Sequence, residues 1–469
     1  MSIKKKRTFY LSWSALTLTL FVVIVGCSSD DSISTSEPKE DPKGVDILPE
    51  DKLPQITINT NGGVIVDEPK IVAEMTIIEA DVVTHTGKIG IEIRGASSQM
   101  FPKKSYGLET RDANNEDLDV SILDYPEEED WIFYAPYTDK SLVRNKLIYD
   151  LSLDINMYAS RTKFVELSIN DITQGTYVFM EKLKRDGNRI DINKLKEDEN
   201  TGDDLTGGYI LKIDKTAGTN LGGGINNQNS FTSSHSPLNS TTGQTIDFLY
   251  EYPDAEDITV EQKTYISDYV SQFENALASA DFADADMGYA AYIDVDSFID
   301  FFLLNEISNN VDGYRLSTYM HKDKNEKLKM GPIWDFNLAF GNANYCNGGA
   351  TNVWAYKFNE RCTDDFWQVP FWWDRLLQDP VFVTKLKTRW ADLRGSTFSV
   401  GNIHSKIDGY TKNLEDAGAI ETNFNKWKVL GTYVWPNNFV GNSHAEEIGY
   451  LKNWTEDRLT WLDGAINGL

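Results

Sequence analysis

Short runs of β-branched and aromatic residues with two-residue alternation dominate the first half of the chain: "ITI", "GVIV", "KIGIEIRG", "KFVELSIN", "GTYVFME" and "GGYILKID". Alternation puts successive side chains on opposite faces, which is the pattern of half-buried strands. One segment breaks the period. In "DKSLVRNKLIYDLSLDI" the residues Leu142, Leu147, Ile148 and Leu151 recur at helical spacing.

From residue 258 the period turns helical. "TVEQKTYISDYVSQFENALASA" opens with Thr259 and Gln262 at capping-box spacing and carries an apolar stripe of Ile266, Tyr269, Val270, Phe273 and Leu277. "DVDSFIDFFLLNEISNN" is apolar nearly all round and predicts a buried helix with Asp296 as its N-cap. "STYMHKD" and "KLKMGPIWDF" predict two short strands paired through the turn at "KNEK". Helical patterns return in "PFWWDRLLQD", "FVTKLKTRWADLRG" and "SHAEEIGYLKNWTEDRLTWLDGAI".

These elements predict an α+β architecture, with a mixed, mainly antiparallel sheet lobe packed on a helix-rich lobe and a cleft between them. The expected organisation is sheet-rich over 53–213, a loop excursion over 214–257 and helix-rich over 258–469. The excursion rests on the loop-forming stretches "NLGGGINNQNS" and "SSHSPLNSTTGQT". No fixed period repeats, which excludes solenoids and propellers.

Residues 1–27, "MSIKKKRTFYLSWSALTLTLFVVIVGC", place a basic stretch before an apolar run and a small residue, the layout of an export signal. "IVGCSSDD" resembles a lipoprotein cleavage box in which Cys27 is the lipidated residue; a signal-anchor helix is the alternative. The first reading predicts an exported lipoprotein, at the outer membrane or cell surface, that meets the membrane through a lipid anchor. Residues 28–52 are rich in Ser, Asp, Glu and Pro and predict a tether.

At 469 residues with 41% hydrophobic content, the chain can bury a large core. Its 72 acidic against 45 basic side chains give a formal net charge of -27, which opposes attraction to phosphate backbones and argues against nucleic acid as a partner. Cys346 and Cys362 form an even pair once Cys27 is set aside; they are a disulfide or two buried thiols.

The stretch "GPIWDFNLAFGN" puts Asp335 among aromatic residues, where a carboxylate calls for a cation, a donor or a metal. Upstream, Asp312 follows the end of the buried helix. The order helix, loop, hairpin, loop can bring both carboxylates to one cleft. Phosphoryl transfer needs such a pair, one to orient or deprotonate the attacking hydroxyl and one to hold the metal that neutralises phosphate charge.

The dispersed segments "LPQITINTNGG", "IEIRGASSQMFPKKSYGLE", "LVRNKLIYDL", "VELSINDITQGTYVFMEKLKRD", "GGYILKID", "NNVDGYRLSTYMHKD", "GPIWDFNLAFG" and "LKNWTEDRLTWL" occur in this order. In them the chain, from about Leu53 to its end, resembles the spore coat protein H (CotH) kinase-like family, atypical relatives of protein kinases. The resemblance implies an atypical kinase-like fold, ATP with Mg²⁺ or Mn²⁺, and transfer to a Ser or Thr hydroxyl of a protein or to another hydroxyl-bearing substrate. The alternative is a catalytically silent kinase-fold module that binds or scaffolds at the cell surface.

By that resemblance Asp312 matches the catalytic-loop aspartate and Asp335 the metal-binding aspartate of the family's "WDFD" motif. Ser317 stands where the family pattern has a metal-binding asparagine, and Asn337 replaces the motif's second acid. Both keep an oxygen for a metal but lose charge or reach, and hard cations favour charged oxygens. Alternation in "FPKKSYGLE" puts Lys104 on the face of Tyr106 and Leu108, with Lys103 opposite, and the family's "KKSY" lysine is similar in position. Lys104 is therefore the expected phosphate ligand; the other reading packs its stem over apolar neighbours. Arg94 and the small residues after it in "IRGASSQ" can line a phosphate site or form a plain turn. Glu181 matches a glutamate the family often has near the adenine edge, or forms a salt bridge.

Overall fold

The computed structural model describes residues 52–216, 224–241 and 243–469. The predicted export signal, Cys27 and all of the tether except Lys52 lie outside the described residues. Those described form one compact unit with both helices and strands, an α+β fold.

Seven strands close into a barrel, where the sequence pattern predicts a mixed, mainly antiparallel sheet. They are β1 (Gln55–Asn59), β2 (Ile71–Glu79), β3 (Val82–Arg94), β4 (Ser105–Arg111), β5 (Asp130–Tyr134), β6 (Thr162–Ile169) and β7 (Ile172–Glu181). Their order is β1-β2-β3-β4-β5-β7-β6, antiparallel throughout except where β6 meets β1 in parallel, Gln55 opposite Glu166. Ile58, Met75, Ile89, Leu108, Trp131 and Phe179 are among the side chains that fill the interior.

The segment "GVIV" forms no strand. Gly62, at φ 87°, turns the chain at a bond from Gly63 N–H to the Thr60 carbonyl, and Val64 is left 76% exposed. Two barrel strands, β2 and β5, were missing from the sequence reading. β2 alternates through Ala73 and Met75, which are not β-branched, and β5 has no alternation because both its faces are buried. Trp131 and Phe133 point into the barrel, while Ile132 packs in the helical core.

The second sheet has five strands in the order β12-β11-β8-β10-β9. It comprises β8 (Tyr209–Ile213), β9 (Ser230–Thr232), β10 (Asp247–Tyr252), β11 (Thr318–Lys322) and β12 (Lys329–Met330). The loop excursion expected over 214–257 is corrected accordingly. Phe248, Leu249 and Tyr250 are buried in β10, which pairs with β8 through Phe248 opposite Ile213. The predicted hairpin of β11 and β12 is present, with Met320 opposite Met330.

The helices are α1 (Arg144–Asp154), α2 (Val260–Ala278), α3 (Val295–Ser308), α4 (Phe358–Arg361), α5 (Trp372–Leu376), α6 (Pro380–Arg394), α7 (Val400–Asp416), α8 (Ala419–Lys426) and α9 (His444–Asn467). The capping box at Thr259 and Gln262 starts α2. The N-cap of α3 is Asp294, not Asp296: the Asp294 side chain accepts from Ser297 N–H, and Asp296 in the first turn pairs with Lys385 at 3.0 Å. Among the described residues, no helix is long and apolar enough to cross a membrane.

Candidate functional site

Asp312 and Asp335 line one cavity. Its walls come from the ends of β3, β5 and β8, from α1, and from the segments that follow α3 and β12. Arg94, Ser317 and Asn337 line it too, so the structure brings together five of the residues singled out from sequence. A larger opening of about 650 Å³ holds neither aspartate. It is lined by Arg185, Asp323 and Lys329 among others, with Lys329 2.6 Å from Glu326 and Asp323 bonded to Asn193.

The loop after α3 positions Asp312. Asn309 ends the helix in the left-handed region, φ 42°, and its amide donates to the carbonyls of Asn347, Gly348 and Ala350. Gly313 follows Asp312 because a Cβ there would sit 2.3 Å from Asn305 Oδ1. Asp312 Oδ1 accepts from Arg315 Nη2 at 2.7 Å and from the Tyr345 hydroxyl at 3.2 Å. Its second oxygen, Oδ2, accepts no hydrogen bond from the described residues. Arg315 is itself held by Asp365 at 3.2 Å and by the Val311 carbonyl. The Cys346–Cys362 disulfide, Cα to Cα 5.8 Å, fixes the chain next to Tyr345.

Asp335 sits at φ 61°, a left-handed conformation that an aspartate tolerates better than most side chains. Helix α1 pins its backbone: Asp335 N–H donates to the Tyr149 hydroxyl at 3.1 Å and Phe336 N–H to Asn145 Oδ1 at 2.9 Å. Trp334 stacks on Tyr149 at 6.1 Å, and the Arg94 guanidinium lies 5.6 Å from the Trp334 ring centre. No described side chain donates to the Asp335 carboxylate, and no described cation lies within 4.0 Å of it. Solvent reaches Asp335 within the cavity, yet the crowding protein and then the charges of Asp312 and Asp214 push its pKa up to about 7.

Arg94, the last residue of β3, forms no ion pair with the described residues, and burial lowers its pKa. Lys104 is a correction: it does not line the cavity, and its Nζ donates to the Gln99 carbonyl. The alternation stops short of it because β4 starts only at Ser105. Lys103 is buried, bonded to the Thr176 carbonyl and, at 2.8 Å, to Asn423 Oδ1. Glu181 is likewise outside the cavity. It is buried at the end of β7, where its carboxylate accepts from Arg161 Nε at 3.1 Å, Arg161 N–H and Tyr158.

Cavity residues that escaped the sequence reading include Asp214, Lys212, Lys215 and Tyr149. Lys212 and Asp214 stand two apart at the end of "YILKID", so a pair of charges closing an apolar strand was the available signal. Lys212 is bound to Glu251 at 2.6 Å. Burial raises the pKa of Asp214, against the opposing pull of Lys212.

Within the cavity Asp335, Asp214, Ser317 and Asn337 offer carboxylate, hydroxyl and amide oxygens, donors that suit a hard divalent cation. A carboxylate without a counter-charge in a crowded site adds the reason to bind one. Among the described residues, the only acidic trio with ligand atoms all within 4.8 Å of one another is Asp119, Glu128 and Glu129, and Lys184 already pairs with Glu128 and Glu129.

The cavity thus gathers Asp312, held through one oxygen, with Asp335 and Arg94, which form no ion pair with the described residues. The family model for CotH kinase protein matches residues 91–462, and the chain belongs to this family. A comparison with curated proteins finds no match.

Proposed function

We propose that this protein is a kinase that moves the γ-phosphoryl group of ATP to a hydroxyl, with Ser or Thr of a protein as acceptor. The observation that carries the reading is the convergence of Asp312, Asp335 and Arg94 on one cavity. Asp312 offers its free Oδ2 to the acceptor hydroxyl while Arg315 and Tyr345 hold Oδ1. As the acceptor oxygen bonds to the γ-phosphorus, the bond to the β,γ-bridging oxygen breaks and ADP leaves with that electron pair. The hydroxyl proton passes to Asp312. Arg94 lies where a phosphate can take its guanidinium as partner. Asp335, Ser317 and Asn337 would hold Mg²⁺ or Mn²⁺, which when bound neutralises phosphate charge.

One observation favours a second reading, a silent binding module. Asp312 Oδ1 is already occupied by a 2.7 Å ion pair with Arg315, the kind of contact that a structural aspartate makes. Calorimetric titration with ATP and Mn²⁺, followed by a γ-phosphate transfer assay, separates the two. For the kinase, Asp335→Ala weakens nucleotide–metal binding at least about tenfold, and Asp312→Ala leaves binding intact while lowering kcat by about 10²–10⁴. Nucleotide binding without transfer by the unmutated chain would favour the module.

We infer also that the protein works outside the cytoplasm, anchored to the membrane through a lipid on Cys27. The Cys346–Cys362 bond supports an oxidising compartment. Metabolic labelling with a radioactive fatty acid tests the anchor, with the label expected to be lost in Cys27→Ala.

A further inference from the structure

Two positions that the family pattern reserves for metal ligands are weakened here: Ser317 and Asn337 bring neutral oxygens. A divalent cation held by Asp335 and two neutral ligands keeps more of its charge and binds weakly. The cavity nevertheless contains a third carboxylate, Asp214, just past the end of β8.

Asp214 is joined to one of the weakened positions. Its Oδ2 accepts from the Ser317 hydroxyl at 3.3 Å, and its Oδ1 accepts from the N–H of Lys215 at 2.9 Å. No described cation comes within 4.0 Å of it, because the nearby Lys212 is committed to Glu251. Asp214 is therefore hydrogen-bonded only by neutral donors, half-buried, and without a direct ion pair beside Ser317, with Lys212 and Lys215 acting on it only from a distance. A neutral side chain of the same shape at this strand end still offers an oxygen to one of the two donors, so a purely structural role does not by itself require the charge.

We propose that Asp214 is a cation ligand of this cavity and supplies the negative charge missing at positions 317 and 337. This rests on the kinase reading of the site and goes beyond it, since it assigns the cation to β8 as well as to the segment after β12. Charge placed at position 337 does the same work as charge at 214.

The test is titration of Mn²⁺ into the full chain with a non-hydrolysable ATP analogue present, reading free Mn²⁺ by electron paramagnetic resonance. Asp214→Asn is expected to weaken Mn²⁺ about tenfold. Adding Asn337→Asp to Asp214→Asn is expected to recover the affinity to within about threefold of the unmutated chain, a rescue that a purely structural role for Asp214 does not produce. Unchanged affinity in Asp214→Asn, or no recovery in the double variant, overturns the proposal. Should Asp335→Asn lose Mn²⁺ while Asp214→Asn does not, Asp214 alone is ruled out and the kinase reading stands. No Mn²⁺ bound by the unmutated chain overturns both. Anomalous diffraction from Mn²⁺-soaked crystals of the unmutated chain serves if the variant does not fold: an Asp214 oxygen within about 2.6 Å of the ion is expected, and one outside its coordination sphere overturns the assignment.

Discussion

The Asp335 carboxylate holds its proton more tightly than a free aspartic acid because crowding protein and two neighbouring carboxylates disfavour its charge. Its pKa rises from 3.8 to about 7, so between those values the folded protein binds a proton that the unfolded chain has released. Stability of the metal-free protein therefore falls as pH rises through that window and levels off above it. Asp335→Asn removes the loss, and thermal melts without metal at pH 8 are expected to show a Tm higher by about 1–2 °C, with little difference at pH 4. Asp335 was legible in the sequence because a carboxylate among aromatic neighbours is conspicuous, and Asp312 through its place after the buried helix and the family resemblance. Lys104 was misread because alternation was extended past the start of β4, and only a folded chain shows that Gln99 takes its ammonium group. A binding assay with ATP and Mn²⁺ checks the correction: Arg94→Ala is expected to weaken affinity about tenfold and Lys104→Ala to leave it within about twofold.

At the scale of elements, α3 delivers Asp312, and its last turn is locked from the other side. Glu306 and Arg458 form a fully buried pair at 3.1 Å that ties α3 to α9, and Glu306 also accepts from the N–H groups of Ala355 and Tyr356. Glu306→Ala strands a buried guanidinium and is expected to cost about 3–5 kcal/mol, measured by equilibrium urea unfolding. Helices α2, α3, α6 and α9 were legible because each carries a periodic stripe or a cap, as at Thr259, whereas α4, α7 and α8 went unread. Among the strands, β5 is buried on both faces, shows no alternation and escaped. In β10 the run "DFLYEY" was overshadowed by the Gly- and Ser-rich composition around it.

Across the whole molecule, the disulfide joins two stretches that flank the cavity, Tyr345 beside Cys346 and Asp365 just beyond Cys362. Replacing both cysteines by serine reopens a short loop in the unfolded chain and is expected to cost about 3 kcal/mol in a denaturant titration. Barrel closure was not legible, since nothing local in "ITI" announces a parallel partner in "KFVELSIN". That closure reaches into practical protein chemistry. A fragment trimmed to the family-matched span, 91–462, lacks β1, β2 and most of β3, so β6 keeps a bare hydrogen-bonding edge from Glu166 to Ile169. Such an edge recruits strands from other copies, and a fragment of that extent is expected to precipitate where one beginning before Gln55 remains dispersed.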